Sequence, residues 1–401
     1  MRLRTLESFW LIKNGLLYSY PSLQENLSSE IIVIGGGVTG ALISHALLHA
    51  GYEVTVLDKR DIAQGSTAAT TAMLQYEIDV PLYQLANDIG TENAVRCYQA
   101  GIRAIRELAA LVSREKIDCG FAEKQSLYFA HDEKAAATLL QEYQIRNQYQ
   151  LGVSWLPAAA IAAQYQLQTF GGILSATAAS MDAYRFTHEL FHKNRQRGLR
   201  VYDQTEIATI DYQPSGVQLE LANGCRVRGK KIVFCSGYEA VAMIPEKTAR
   251  LFSTYACVSE AGVQLSPELK GLLMWNTEKP YTYMRTTDDN RLLIGGVDSP
   301  FNSGAFRERI KERKTKLLME KLGRFMPETT FIDDFSWAGC FGSTRDGLPY
   351  IGAHEKYPHA YFVLGFGGNG ITFSIQGMEL ILKLLRNEAD PLLPLYRFGR
   401  P

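Results

Sequence analysis

Several features are missing from this 401-residue sequence, and each absence removes a class of protein. Lys plus Arg and Asp plus Glu balance at 42 each, so nothing in the net charge recruits nucleic acid or an anionic membrane. The six cysteines (97, 119, 225, 235, 257 and 340) include no C-x-x-C pair and no metal-ligand spacing, and a chain this long does not need disulfides to hold its core. They read as reduced thiols in a cytoplasmic setting, and no metal is expected. No apolar run approaches the ~20 residues of a membrane span. The opening MRLRTLESFWLIKNGLLYSYP superficially resembles a secretion signal, but Glu7 and Lys13 interrupt it and no small-residue cleavage site follows. Residues 1–29 are expected to be an extension that packs its aromatics on the folded body, and membrane association is not expected. With 46% hydrophobic composition, the chain is long enough for two cores, hence two domains.

What is present is organised around residues 30–60, EIIVIGGGVTGALISHALLHAGYEVTVLDKR. Ile31 to Ile34 is a short apolar run of the kind a strand buried on both faces shows. It feeds into Gly35, Gly37 and Gly40 at G-x-G-x-x-G spacing. The first glycine permits a tight turn, the second lets the backbone approach a pyrophosphate, and the third lets the next helix pack on the strand. That helix, with Val38 and Thr39 in its first turn, brings its positive end to the phosphates and stops at Gly51. A second strand, Val54 to Leu57, delivers Asp58, an acid placed to bind a ribose hydroxyl pair. A carboxylate there repels a 2′-phosphate, which favours FAD or NAD over NADP, while Lys59 and Arg60 beside it pull the other way.

Beyond this unit, DIAQGSTAATTAMLQYE is a loop rich in hydroxyls, directly after the acid and able to close over a pyrophosphate. Residues 85–155 turn helical, through Tyr98, Ile102, Ile105, Ala109 and Val112, then from Asp132 as N-cap to Gly152, with a strand over Gln125 to Ala130. This breaks the βαβ rhythm and predicts another layer or domain. Strand patterning returns at Leu199 to Ile210, and Asn223-Gly224 marks a hairpin before KKIVFCSG, a buried strand ending in Ser236-Gly237. In YTYMRTTDDNRLLIGG, Tyr281, Tyr283 and Arg285 alternate and share a sheet face; facing a cavity, that arginine would fix an anionic substrate group. A charged helix, Arg307 to Leu322, reads as a solvated cover. Finally Tyr361 to Leu364 runs into Gly365, Gly367, Gly368 and Gly370 and a second helix with bare backbone amides, suited to stabilising negative charge.

Taken together, GGGVTG with Asp58, GSTAATTAML, KIVFCSG, DGLPYIG at 346–352 and GFGGNGI at 365–371 resemble the FAD-dependent D-amino-acid oxidase family, which includes glycine, sarcosine and γ-glutamylputrescine oxidases. The resemblance covers about residues 30–387. It implies an α/β fold: a Rossmann-like FAD-binding domain of glutathione-reductase type (30–84, 155–244 and 331–401) with an inserted α+β substrate domain (85–154 and 245–330). It implies non-covalent FAD, with Val38 and Thr39 at the pyrophosphate, Asp58 and Lys59 at the ribose, and Ser66, Thr67, Thr71, Ala72 and Met73 at the phosphates and flavin edge. Ile207 meets adenine, Ser236 and Gly237 complete the nucleotide site, and Gly367, Gly368, Asn369, Gly370 and Ile371 lie at the flavin's pyrimidine end. The reaction implied is oxidation of the C–N bond of a small amine or amino acid by hydride transfer, which needs no catalytic triad.

The sequence departs from the family at three positions. The arginine that pairs with a substrate carboxylate, five residues before the aspartate of DG-x-P, is here Phe341, which leaves Arg285 or Arg345 as substitutes or an amine with an apolar body as substrate. The flavin-attaching cysteine of sarcosine oxidases stands seven residues before that aspartate, whereas Cys340 is six before it, a slip that turns a strand side chain to the other face. The oxygen-activating lysine of G-x-K-x-G is replaced by Leu293, so the electron acceptor is oxygen or another molecule. Two further readings follow: a flavin dehydrogenase with a non-oxygen acceptor, or a non-catalytic flavin-binding protein.

Overall fold

The computed structural model describes residues 3–300, 303–365 and 367–400. In chain order, α1 (Phe9–Asn14) precedes the unit β1 (Leu27–Ile34), α2 (Val38–His49) and β2 (Val54–Leu57). Next come β3 (Met73–Gln75), α3 (Leu82–Ile89), α4 (Thr91–Glu115), β4 (Ala122–Phe129), α5 (Glu133–Gln148), β5 (Val153–Leu156), α6 (Ala158–Tyr165) and β6 (Gly172–Ser180). Then α7 (Ala183–Arg195) leads to β7 (Arg200–Tyr202), β8 (Ile207–Gln213), β9 (Gly216–Leu221) and β10 (Arg226–Phe234). The chain continues through β11 (Arg250–Ser259), α8 (Pro267–Lys270), β12 (Leu272–Asn276), β13 (Thr282–Thr286), β14 (Leu292–Ser299) and α9 (Gly304–Phe325). It closes with β15 (Asp333–Ser343), β16 (Tyr350–Ala353), β17 (Ala360–Leu364), α10 (Gly370–Leu385) and α11 (Leu393–Tyr396).

The first sheet has the order β16-β17-β10-β1-β2-β7, with β9 and β8 attached to β10 as an antiparallel meander. Its central pairs are parallel, and the apolar runs read from the sequence are buried on both faces as such a sheet requires: Ile31, Ile32 and Val33 are at most 1% exposed. Helix α10 packs on α2 and α4. Gly377 permits that approach, because a Cβ there would lie 2.7 Å from Val363 and 3.4 Å from Ile43. The meander turns at Asn223-Gly224, where Gly224 has φ +85.

The second sheet runs β15-β11-β14-β13-β12-β4-β6-β3, with β5 paired to β6. Two of its strands, β6 and β15, come from segments expected with the nucleotide-binding part, and β3 comes from its loop. Strand pairing here is set by long-range register, which periodicity does not encode. Conversely α4, expected in the substrate part, puts Tyr98, Ile105 and Leu108 into the core shared with α2 and α10. Helix α9 covers the second sheet as expected, but it is not merely solvated: Leu318, Leu322 and Phe325 are buried in a core of that sheet, and Arg307 is buried too. Helix α5 begins where expected, with Asp132 accepting from the Ala135 amide at 2.7 Å.

The N-terminal segment is fastened to this sheet. Thr5 N–H donates to Ala338 O at 2.9 Å and Cys340 N–H to Leu3 O at 2.7 Å, so residues 3–5 pair along β15. That pairing covers a sheet edge. Phe9 and Trp10 are buried, as expected of the extension, with Phe9 stacked 6.0 Å from Trp337.

Candidate active site

The turn after β1 is held open for a ligand by its glycines. Gly35 has φ +111, and a Cβ on it would fall 2.6 Å from Cys235 O; a Cβ on Gly40 would fall 1.8 Å from Gly35 O, so only glycine lets α2 sit this close to the strand. Gly37 caps α2 without a side-chain hydrogen bond, which leaves amides of the first turn pointing outward. The Val38 amide meets Thr67 Oγ1 at 3.0 Å, and Thr39 Oγ1 lies 2.8 Å from Ser374 Oγ, tying α2 to α10.

Strand β2 delivers Asp58, whose Oδ2 accepts from Gly36 N–H at 2.6 Å and Oδ1 from Arg60 N–H at 2.8 Å. Burial pushes its carboxyl up, and the two amides pull it back toward the charged form. The neighbouring cations are claimed by another acid: Lys59 lies 3.0 Å and Arg60 2.8 Å from Glu239. Burial of Glu239 works against its charge, but those two partners outweigh it and hold it at about 2. Lys59 and Arg60 therefore do not offer a 2′-phosphate an unpaired cation, and Asp58 sets the character of the ribose end.

From this end a cavity of about 680 Å³ runs between the two sheets. Gly35, Gly37, Val38, Thr39, Asp58 and Lys59 line its beginning, with Ile207, Ser236 and Gly237 opposite. Ser66 and Thr67 follow, then Thr71 and Met73. The far part is walled by Gly367, Gly368, Gly370 and Ile371 on one side and by Tyr281, Tyr283 and Phe341 on the other. The hydroxyls of Ser66 and Ser236 are buried without a hydrogen-bond partner. Orphaned hydroxyls beside a bare helix N-terminus fit the phosphates of a dinucleotide.

Other expected residues do not reach the cavity wall. Gly40 acts through packing. Ala72 holds a turn at φ +48 with its amide on Thr70 Oγ1 at 3.1 Å. Asn369 donates to Gln75 O at 2.8 Å, beside Thr372 at 3.1 Å, and so anchors the start of α10 to β3. Arg285 is buried away from the cavity: Nη2 donates to Met181 O at 2.9 Å and its guanidinium lies 5.3 Å from the Trp10 ring centre. Burial lowers it to about 10. Arg345 is exposed and off the wall. Neither is placed to replace the family arginine. Leu293 is buried in β14, opposite Arg285 and Val258, and also off the wall. Phe366, inside the second glycine cluster, lies outside the described residues.

The wall also holds residues that carried no sequence signal. Leu3 comes from the N-terminal segment, Thr254 from β11, and Tyr238 and Glu239 from the turn after β10. The amide of Gly368, expected to face the ring, donates instead to Asp79 Oδ2 at 3.0 Å. Elsewhere His45, His49 and Glu115 gather with ligand atoms within 4.8 Å, an arrangement split between α2 and the end of α4. Arg197 Nη1 lies 2.6 Å from Glu115 and 3.2 Å from His49, so a cation of the chain already pairs with this acid.

A parallel sheet with a glycine turn, an acid closing its second strand, and a long cavity reaching a second sheet defines a dinucleotide-binding protein. The chain belongs to the DAO family of FAD dependent oxidoreductases, whose model matches residues 30–381. FAD is the cofactor of that family, and the protein is an enzyme. Among curated relatives, γ-glutamylputrescine oxidoreductase of Escherichia coli K12 is 24% identical over 397 residues, covering 94% of this chain and 90% of its own. Glycine oxidase of Geobacillus kaustophilus is 25% identical over 364 residues, covering 86% and 89%. The crystal structure of glycine oxidase from Geobacillus kaustophilus superposes with TM-score 0.77 at 20% identity, covering 94% of this chain and 100% of that one. Among the described residues, no helix is long and apolar enough to cross a membrane.

Proposed function

We propose that the protein oxidises the C–N bond of a small-molecule amine rather than of a simple α-amino acid. In this reading the hydride leaves the carbon beside nitrogen, the nitrogen's proton goes to solvent, and the imine product adds water to give a carbonyl compound and a free amine. Bound FAD supplies the two-electron acceptor. The observation that carries the substrate class is the cavity wall. Its cations among the described lining residues, Lys59 and Arg60, both belong to the Asp58 end and both pair with Glu239. The far end offers Tyr281, Tyr283 and Phe341, surfaces that hold an amine body and exclude water. One relative's name agrees, an oxidoreductase of γ-glutamylputrescine, whereas the other, an oxidase of glycine, names an α-amino acid.

Non-covalent FAD accords with Gly339, not a cysteine, at the attaching position, and with a Cys340 thiol that burial pushes up to about 11. Acid precipitation should leave the flavin in the supernatant. The test of the function is anaerobic bleaching of the flavin by a panel of secondary amines, diamines and D-amino acids. Bleaching by amino acids ahead of every amine overturns the substrate class.

A second reading concerns the acceptor. Leu293 stands where family oxidases carry a lysine, and Lys59, held by Glu239, is the lysine among the described lining residues. This favours a quinone or protein acceptor over oxygen. Timing the reoxidation of reduced enzyme by air decides it, since reoxidation at the turnover rate makes the enzyme an oxidase. The free cysteines accord with a reducing cytoplasmic setting, which cell fractionation tests. The balanced charge accords with a small-molecule partner rather than nucleic acid.

A further inference from the structure

The hydroxyl-rich loop after β2 lines the cavity through Gly65, Ser66, Thr67, Ala69, Thr70 and Thr71. Its regular structure is a three-residue 3-10 turn, Ser66–Ala68, so its outward carbonyls must find donors from elsewhere. Arg4 Nε donates to Gln64 O at 3.0 Å, Trp337 Nε1 to Ala69 O at 2.8 Å, and Trp10 Nε1 to Thr70 O at 2.6 Å. Both ends of the loop are therefore gripped by side chains of the N-terminal segment, which lies ahead of the family-matched residues 30–381.

The same segment supplies part of the wall itself. Leu3 is 6% exposed and lines the cavity, and a Cβ on Gly65 would lie 3.5 Å from Leu3 Cδ1, so this side chain packs over the loop. On its other side Leu3 O accepts from Cys340 N–H at 2.7 Å. Gly339 lets the loop and β15 come this close, because a Cβ there would fall 3.2 Å from Ala69 Cβ and 4.0 Å from Leu3 O. Leu3 thus fills the seam between the loop and β15, where an apolar side chain keeps water out. The far end of the segment is anchored away from the cavity, with Asn14 Nδ2 donating to Asp182 Oδ2 at 2.7 Å and Lys13 lying 3.3 Å from Asp289.

We propose that residues 3–10 belong to the cofactor site: Arg4 and Trp10 are positioning residues that hold loop 64–71 against bound FAD, and Leu3 seals the seam beside it. The loop carries the Ser66 hydroxyl, buried without a hydrogen-bond partner and therefore placed for a ligand only while the loop is held still. Release of FAD then requires the loop to move, and the loop moves only when the bonds from Arg4 and Trp10 break. The proposal concerns retention of the cofactor and is independent of which substrate the enzyme oxidises.

The test uses the FAD-loaded full chain, diluted far below its loading concentration at a temperature under every variant's unfolding midpoint. The rate of FAD release is read from the rise of free-flavin fluorescence. Arg4→Met removes the grip on Gln64 and Trp10→Phe the grip on Thr70, while the backbone pairing with β15 and most of the aromatic packing remain. Release should quicken about fivefold in each single variant and at least about tenfold in the double variant. Leu318→Ala is the control: it opens a hole in the core under α9, off the cavity wall, and should leave release within about twofold of wild type. A double variant within about twofold of wild type overturns the proposal, and so does a Leu318→Ala that releases FAD as fast as the double variant, since general loss of stability would then explain both. If the double variant does not fold, the single variants decide by the same comparison. Release is measured without substrate, so failure of every amine to bleach the flavin would remove the amine-oxidation reading and leave this one standing.

Discussion

Replacing Trp10 with alanine asks whether the segment ahead of the family-matched region is part of the folding unit. Trp10 is 1% exposed. Its ring centre lies 5.0 Å from that of Phe9, its indole N–H donates to Thr70 O at 2.6 Å, and it sits 5.3 Å from the buried Arg285 guanidinium. Truncating a buried tryptophan costs about 3–5 kcal/mol. The lost hydrogen bond and cation–π contact each account for about 1 kcal/mol, partly within that figure. A net loss of about 4–5 kcal/mol follows. With an unfolding entropy of about 0.8 kcal/mol/K for a chain of this length, the midpoint should fall by about 5 °C. Trp10→Phe keeps most of the ring and loses the donor, so about 1–2 °C is expected. Thermal unfolding of the FAD-loaded protein, followed by circular dichroism and flavin fluorescence, measures both. Thr70 lines the cavity, so flavin release should come no later than loss of structure in Trp10→Ala. A Trp10→Ala midpoint within about 1 °C of wild type would refute the reasoning and make the segment a passive appendage.

Three further outcomes follow from other sites. Gly40→Ala puts a methyl 1.8 Å from Gly35 O and should yield protein without flavin, whereas Gly51→Ala, with nothing within 4 Å, should keep flavin at a backbone cost of about 1–2 kcal/mol for its φ of +90; flavin content of the purified variants checks both. Arg285→Met should change stability by only about 1 kcal/mol, because the lost bond to Met181 O is offset by removal of a charge that burial disfavours, and should leave KM for an amine substrate within about threefold, because Arg285 contacts Met181 and Trp10 rather than the cavity; a tenfold rise in KM would return it to the pocket. Stability should fall in two steps on acidification. Burial holds His45 at about 4 against 6.5, so the fold prefers its neutral ring and that contribution is complete above pH 6.5 and lost toward pH 4. Glu239, held at about 2 against 4.5, contributes fully above pH 4.5 and loses it toward pH 2. Urea midpoints across this range should show Glu239→Gln flattening the lower step and leaving the upper one.

The nucleotide end was legible because its logic is local. Gly35, Gly37 and Gly40 act by lacking side chains, at a spacing fixed by one turn of chain, and Asp58 acts by standing at the end of a strand. Arg285 shows where such reasoning stops. Periodicity places it on the face shared by Tyr281 and Tyr283, but it does not say what covers each stretch of that face. Two of the three reach the cavity, and the third is roofed by Trp10, a residue 275 positions earlier in the chain. The membership of β6 and β15 in the second sheet was hidden for the same reason, since their partners, β4 and β11, are chosen by long-range pairing.

Asp79 is the extreme case, and it shows why contacts made by single side chains resist sequence reading more than the glycine turn after β1 does. It is a single acid in an unremarkable context, IDVP, and belongs to no motif. The chain leaving β3 brings it to the start of α10, where its Oδ2 accepts from Gly368 N–H at 3.0 Å, 289 residues further on, and its Oδ1 from Tyr281 O–H at 3.3 Å. A cofactor common to a family leaves its mark as fixed local spacing. A contact drawn from separate elements leaves none, because only the folded chain brings its partners together.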